Sequence, residues 1–230
     1  FADENQSQQR NQLLKRALRS LFKTMIPVML LFSVFGSIFV NAMFKYGKVT
    51  SFDVGITVNC LSAYSIGLLP QSIVMFLVGV FFVLKDYRYP AYTSFFSLVV
   101  NFMLSFIFVR FFELEAFGVA LSTSISAFLN TLLLVKKLES YLSCRLFDVM
   151  VIRSLVSTTL KGVIAVVITW FILKTYWVVS FVNELAHFIE QTIGFSENAF
   201  LKLSEFFVCL SLFVLIVSIV SRSSKRFSFQ

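Results

Sequence analysis

Long apolar stretches separated by short charged or polar segments dominate the pattern of this chain. The longest stretch runs from 54 to 84 without a charged side chain and ends at Lys85-Asp86-Tyr87-Arg88-Tyr89-Pro90. A bilayer core about 30 Å thick needs only ~20 apolar residues of helix, so this stretch is long enough to span a membrane. Pro70 lies near its centre and predicts a bend whose freed backbone groups neighbouring helices must satisfy.

The same pattern predicts six transmembrane helices and therefore an all-α, polytopic membrane protein. Four of these helices fall within 24–138 and two within 156–221. Their expected ranges are 24–44, 54–84, 92–109, 117–135, 156–177 and 203–221. Pro27 falls in the first turn of the first range, where proline is tolerated. A short charged turn separates the third and fourth ranges, so we expect these two helices to form an antiparallel hairpin.

The remaining segments are of two kinds. Two of them show helical periodicity with one polar face, and the other two are a linker and a tail. Residues 1–23 predict a basic amphipathic helix on the cytoplasmic membrane surface, and 181–195 predict an acidic counterpart on the periplasmic surface. Residues 139–155 are expected to form a cytoplasmic interfacial linker, and 222–230 a cytoplasmic tail. The opening segment carries no signal-peptide pattern, and we expect the chain to be the C-terminal part of a longer protein.

Composition and charge agree with a membrane protein. Only 14% of residues are charged and the mean hydropathy is +0.85, whereas ordinary soluble domains have roughly 25% charged residues. With six crossings, most of the 20 basic residues fall on the side that carries both chain ends. The positive-inside rule therefore predicts that both ends are cytoplasmic. Contact with anionic lipid headgroups accounts for the net charge of +8, so no nucleic-acid partner is expected.

Catalytic chemistry has few candidate residues. The single histidine, His187, lies on the predicted surface helix without a cysteine or paired carboxylate at a useful spacing. Glu113 and Glu115 share a short turn and are better explained as solvated residues than as a general acid and base. The cysteines Cys60, Cys144 and Cys209 lack metal-ligand spacing. We therefore expect a protein that is not an enzyme, with no catalytic residue.

Polar residues inside the predicted spans are the stronger functional signal, because each is costly in a bilayer unless it faces protein or water. Asn101 and Ser105 share one face of the third span. The fourth span contains an unusually polar set: Ser122, Thr123, Ser124, Ser126 and Asn130. Interhelical packing is the favoured interpretation. The alternative is a path for a cation or substrate lined by Asn101, Ser105 and Thr123, where oxygen ligands would suit sodium.

Several segments carry a resemblance to one family of membrane transporters. They are 44–53 (FKYGKVTSFD), 61–68 (LSAYSIGL), 81–90 (FFVLKDYRYP), 97–101 (SLVVN), 118–124 (GVALSTS) and 129–130 (LN). In order and spacing these segments resemble the MurJ (MviN) family of lipid II flippases over about 21–138. Beyond residue 140 only the pattern of two further spans fits.

The resemblance implies a two-lobed transporter of fourteen helices, of which this chain resembles helices 9–14. It implies a protein of the bacterial cytoplasmic (inner) membrane that moves undecaprenyl-linked peptidoglycan precursor between leaflets by alternating access. The residues of the substrate cavity are expected mainly on helices before Phe1. Expected partners are the precursor, membrane lipids and the cell-wall synthesis machinery.

The resemblance also implies a candidate sodium site at Asn101, Ser105, Val119 and Thr123. Asn101 and Thr123 match the family pattern, whereas Ser105 stands where a carboxylate is expected. No other cofactor is implied, and a sodium gradient or the membrane potential is the expected driving force. Pro70 becomes a candidate for a bend that accompanies alternating access, and the last two spans have surfaces suited to a prenyl tail.

Three alternatives remain open at this point. The nearest is another exporter of the same superfamily, for O-antigen, polysaccharide or drugs, although the match over 44–53 argues against it. A membrane-embedded prenyl-phosphate enzyme would need a cluster of acidic residues that Asp86 and Asp148 alone do not supply. A non-transporting scaffold subunit is the third.

Overall fold

The computed structural model describes residues 2–44, 50–174 and 207–218, and the regular structure in these ranges is α-helix. The helices are α1 (Ala2–Phe44), α2 (Ser51–Val83), α3 (Arg88–Arg110), α4 (Glu115–Leu142), α5 (Val149–Lys174) and α6 (Phe207–Ser218). The first five are long and apolar enough to cross a membrane, and α6 is shorter in its described part. The prediction of an all-α, polytopic membrane protein is confirmed.

The beginning of the chain differs from the sequence prediction. We expected a surface helix over 1–23 followed by a separate span over 24–44, but α1 is one continuous helix of 43 residues. Pro27 therefore lies inside a helix and not in its first turn. The missing N–H and the proline ring disturb one turn locally, and the apolar residues Phe22 and Ile26 beside it are buried. Leu31, one turn after the proline, is buried as well, so apolar packing accompanies α1 before and after Pro27.

The connection between α4 and α5 is also shorter than predicted. We expected a linker over 139–155, whereas α4 continues to Leu142 and α5 begins at Val149. Leu138, Leu142 and Val151 are buried, so apolar packing extends both helices into the expected linker. Ser143 ends α4 in the left-handed conformation, with φ of 48°, and the Asp148 carboxylate accepts a hydrogen bond from the first N–H of α5 at 2.7 Å.

The predicted hairpin of the third and fourth spans is present. α3 and α4 are joined by 111–114 and contact each other along their length. Ser97 bonds to Ser126, and Asn101 bonds to Ser122. The paired numbers run in opposite directions, so the two helices are antiparallel.

The chain divides into two compact units, each with its own apolar core. Unit 1 contains Phe1–Met29 and Ala63–Thr158, and unit 2 contains Leu30–Ser62 and Thr159–Gln230. The fully buried side chains of unit 1 include Leu18, Phe22, Leu77, Phe81, Leu134 and Leu138. The core of unit 2 consists of Leu31, Phe35, Ala165, Val166, Cys209, Phe213 and Ile216. The predicted surface helix over 181–195 and the tail over 222–230 lie outside the described residues.

Candidate functional site

Helix α4 is the polar centre of unit 1, because its small and hydroxyl-bearing residues are buried within a largely apolar unit. Between 118 and 131, its buried residues are Gly118, Ala120, Ser122, Ser124, Ser126, Ala127, Asn130 and Thr131. Small side chains allow helices to approach closely in a membrane, and hydroxyls can bond to a neighbouring helix. One side of α4 packs against α3 and another side against α2.

On the α3 side, polar groups from both helices form one hydrogen-bonded group, here called the α3–α4 polar cluster. Its members are Asn101 and Ser105 of α3 and Val119 (through its carbonyl), Ser122 and Thr123 of α4. The Ser122 hydroxyl lies 2.8 Å from Asn101 Oδ1 and 2.5 Å from Ser105 Oγ. The structure thus brings together the four residues of the predicted sodium site and adds Ser122, whose side chain is fully buried.

The cluster is completed by bonds to Thr123 and to the backbone of α4. The Asn101 amide group donates to Thr123 Oγ1 at 3.5 Å, and the Thr123 hydroxyl donates to the Val119 carbonyl at 2.9 Å. Ser122 Oγ lies 2.8 Å from the same carbonyl. Because all these groups are neutral at ordinary pH, the cluster carries no formal charge.

On the α2 side, two hydroxyls of α4 bond to backbone carbonyls of α2. Ser124 donates to the Ala63 carbonyl at 2.7 Å, and Thr131 lies 2.9 Å from the Pro70 carbonyl. Both the donors and the acceptors are seven residues apart, which is two helical turns. The bonds therefore fix one register between α2 and α4, and the two helices run parallel.

Gly67 lies between these two bonds, at a close approach of α2 and α4. A Cβ added there would lie 2.5 Å from Ser124 Oγ and 3.1 Å from Ser124 Cα. The serine hydroxyl could rotate away only by losing its bond to Ala63, and the Cα cannot move without a shift of α4. Glycine is therefore required by helix packing at this position.

Pro70 lies inside α2, which continues from Ser51 to Val83 without a break. The proline lacks an N–H, so the Ile66 carbonyl one turn earlier has no α-helical donor. The carbonyl of Pro70 itself is held by Thr131 of α4. The candidate bend residue is thus attached to the polar helix by a bond that does not depend on the proline ring.

A cavity of about 160 Å³ lies beside this contact between α2 and α4. Its walls are formed by Tyr64, Gly67, Leu68, Gln71, Thr123, Ser124 and Ala127. The α2 residues have i, i+3, i+4 and i+7 spacing, so they form one face of that helix. Thr123 belongs both to the cavity wall and to the α3–α4 polar cluster, which places the cavity next to the cluster.

The charged end of unit 1 is held together by aromatic and acidic side chains. The Tyr141 hydroxyl donates to Asp86 at 2.7 Å, and this bond is the main cause of a lowered pKa for the Asp86 carboxyl. The Lys137 ammonium lies 4.9 Å from the centre of the Tyr141 ring and 5.3 Å from that of Tyr89, within the range of a cation–π contact. These contacts connect the α2–α3 turn to the end of α4.

A second contact at this end involves the first helix. Lys15 of α1 pairs with Asp148 at 3.3 Å, and Phe22 packs against Phe147. The pKa of Asp148 is lowered, first by the backbone N–H of Val149 and then by Lys15. The basic part of α1 and the α4–α5 connection are therefore on the same side of unit 1.

Within the described ranges, no group of three or more His, Cys, Asp or Glu residues could hold a metal ion. The oxygen-rich group at α3 and α4 is thus the candidate site that the structure offers. Sequence reasoning did not assign Ser122 to this group, and it missed Gly67 and Thr131 as parts of the contact between α2 and α4. Ser124 and Thr131 are seven residues apart and so lie on one face of α4, which could have predicted a contact with another helix. This spacing does not identify the carbonyls of α2 that accept the bonds.

Comparisons with known proteins point to one family. The family model described as "Lipid II flippase MurJ" matches residues 1–188. A probable lipid II flippase MurJ of Buchnera aphidicola subsp. Baizongia pistaciae is 32% identical over 128 residues, covering 56% of this chain and 25% of the relative.

Two further relatives carry the same description. The protein of Buchnera aphidicola subsp. Acyrthosiphon pisum is 28% identical over 145 residues, covering 62% of this chain and 28% of the relative. The protein of Vibrio cholerae is 34% identical over 114 residues, covering 50% of this chain and 21% of the relative. The chain therefore spans about a quarter of the length of these curated relatives.

Proposed function

Because this chain belongs to the MurJ family of lipid II flippases, we propose that it forms the C-terminal portion of such a flippase. In this proposal the complete protein moves lipid-linked peptidoglycan precursor from the cytoplasmic to the periplasmic leaflet by alternating access. The observation that carries the proposal is the family match over residues 1–188, which includes all of α1 to α5. The five long apolar helices support a multi-pass location in the bacterial inner membrane.

The substrate in this proposal is the undecaprenyl-linked precursor, and the surrounding partner is membrane lipid. Helix α3 presents Phe95, Phe102 and Phe106 to the outside of unit 1, where each is more than half exposed. Such a surface suits contact with acyl chains. The cell-wall synthesis machinery that consumes the precursor is the proposed protein partner.

We further propose that both chain ends face the cytoplasm. The Lys15–Asp148 pair and the Asp86–Tyr141 bond support this orientation, because they bring the basic part of α1, the α2–α3 turn and the end of α4 to one side. Lys85, Arg88, Lys136 and Lys137 lie at the same end, and an excess of basic residues favours the cytoplasmic face.

The driving force has two candidates, a sodium gradient and the membrane potential. The choice depends on whether the α3–α4 polar cluster binds sodium. No further cofactor is proposed.

The function is tested by depleting the resident flippase of a bacterial host and supplying the full-length protein in its place. Lipid II in the outer leaflet is then quantified with a probe that cannot cross the membrane. We expect the wild-type protein to restore outer-leaflet lipid II. Accumulation of lipid II in the inner leaflet, despite normal amounts of the protein in the membrane, would contradict the proposal.

Pro70→Ala is the informative variant in this assay. Alanine supplies the missing N–H and removes the ring, while the carbonyl that bonds to Thr131 is retained. We expect slower delivery of lipid II with little change in the amount of folded protein. The matched control is Gly79→Ala in the same helix, where an added Cβ meets no atom within 4 Å. Equal transport by both variants would reduce Pro70 to a packing residue.

A further inference from the structure

We propose that the α3–α4 polar cluster is a continuous chain of hydrogen bonds between neutral groups, and that Ser105 prevents it from binding sodium. Only the consequence for transport rests on the proposed function, because sodium binding itself can be measured without transport.

The hydrogen bonds of the cluster can be satisfied in a single direction. Ser105 donates to Ser122, Ser122 donates to Asn101 Oδ1, the Asn101 amide donates to Thr123, and Thr123 donates to the Val119 carbonyl. Each hydroxyl has one hydrogen, and this assignment uses each of them once. Four of the five oxygens then already accept a bond, and Ser105 Oγ alone begins the chain.

A cation would have to compete with this chain. Asn101 Oδ1 and the Val119 carbonyl each already accept a hydrogen bond, from Ser122 and Thr123, so each offers an ion at most its remaining lone pair. An ion that drew these oxygens around itself would separate groups that now lie 2.5 to 2.9 Å apart and break the bonds between them. Buried polar groups left without partners are costly, so the ion would have to compensate for several lost bonds.

No carboxylate near the cluster on α3 or α4 would balance the charge of the ion. Helix α3 contains no acidic residue, and Glu115 of α4 precedes Ser122 by seven residues, roughly 10 Å along the helix axis. An isolated cation in a half-buried site of low dielectric is strongly disfavoured without a nearby opposite charge. The ligands that α3 and α4 supply by themselves therefore do not fit sodium, although the residue types are oxygen ligands.

Ser105 is the residue that decides this outcome, because it begins the chain and is half-buried on α3. A carboxylate at this position would supply negative charge within reach of Ser122 and Asn101. It would have no hydrogen to donate, so it would accept from Ser122 and leave Asn101 Oδ1 free for an ion. A single substitution should thus convert the cluster into a cation site.

The experiment compares the melting temperature of the full-length protein in detergent in sodium, potassium and choline chloride at equal ionic strength. We expect the wild-type protein to melt at the same temperature in all three salts. The variant Ser105→Asp should melt higher in sodium than in potassium or choline, by roughly 2 °C or more. The control Ser105→Asn has nearly the same size without charge and should show no preference for sodium.

Two results would overturn the proposal. One is a saturable, sodium-specific rise in the melting temperature of the wild-type protein that is lost in Thr123→Val. The other is a folded Ser105→Asp variant without any response to sodium. If Ser105→Asp does not fold, binding of radioactive sodium to the wild-type protein and to Thr123→Val decides the question. Absence of lipid II transport in every salt would contradict the proposed function and leave these binding results unchanged.

Discussion

Helices α3 and α4 are neighbours in the chain and partners in one hairpin, yet they differ sharply in their surroundings. In the most apolar 18 residues of α3, 11% of the residues are buried, whereas in the corresponding stretch of α4 56% are buried. Both stretches are apolar enough to cross a membrane. The difference comes from side-chain size, because α3 presents large aromatic residues outward whereas α4 carries the glycine, alanine and hydroxyl residues that allow close contacts.

The comparison shows that apolar character places a helix in the membrane but does not place it within the protein. Lipid chains solvate phenylalanine as well as a protein core does, so little free energy separates the two environments. Close backbone contact and hydrogen bonds between helices supply the remaining preference. Helix α4 makes close contacts and hydrogen bonds with both α2 and α3. Helix α3 makes them with α4, and only on part of its surface.

The largest expected effect is that of breaking the close contact between Gly67 of α2 and Ser124 of α4. Gly67→Ala places a methyl group 2.5 Å from Ser124 Oγ, and overpacking of this kind costs about 1–3 kcal/mol of folding free energy. The measurement is thermal unfolding of the full-length protein in detergent. Gly79→Ala on the same helix is the control and should remain close to wild type.

A partial rescue would sharpen this result. Ser124→Gly removes both the hydroxyl and the Cβ that the new methyl group meets, so the double variant should be more stable than expected from the two single changes. Additive losses would show that the contact between Gly67 and Ser124 is not the source of the effect.

Loss of the two hydroxyl bonds to α2 should have a smaller effect. Ser124→Ala and Thr131→Val remove donors to the carbonyls of Ala63 and Pro70, and such bonds in membranes contribute about 0.6 kcal/mol on average. Because the two sites are two turns apart, the losses should add in the double variant. Chemical or thermal unfolding of the four forms measures this. A strongly non-additive result would indicate that the bonds act through one shared shift of α4.

The smallest effect is expected on the lipid-facing side of α3. Phe102 is 69% exposed, so Phe102→Leu should change stability by less than about 0.5 kcal/mol. Phe81→Leu is the buried comparison, since Phe81 is fully buried and packs against Tyr89 and Tyr141. It should be clearly more destabilising in the same unfolding assay. Equal effects at both positions would show that the outer face of α3 is covered by protein.

Most of the helices could be predicted from hydropathy, while their ends could not. The ranges 54–84, 92–109 and 117–135 all fall on α2, α3 and α4 to within a few residues, apart from the longer end of α4. The surface helix over 1–23 and the span over 24–44 form one helix, and the linker expected over 139–155 is shorter, because burial of Phe22, Leu138 and Leu142 continues the helices past their charged residues. Charge patterns indicate where a helix leaves the lipid, not where it ends.

The sequence by itself determined the all-helical membrane architecture, the α3–α4 hairpin and the family, since these depend on the order of apolar, charged and motif residues. It also placed Asn101, Ser105, Val119 and Thr123 near one another. Only the tertiary structure decided that Ser122 joins them, that Thr131 reaches the Pro70 carbonyl and that Gly67 faces Ser124. The physical reason is that hydropathy is a property of each residue alone, whereas a hydrogen bond or close contact depends on the register between two helices.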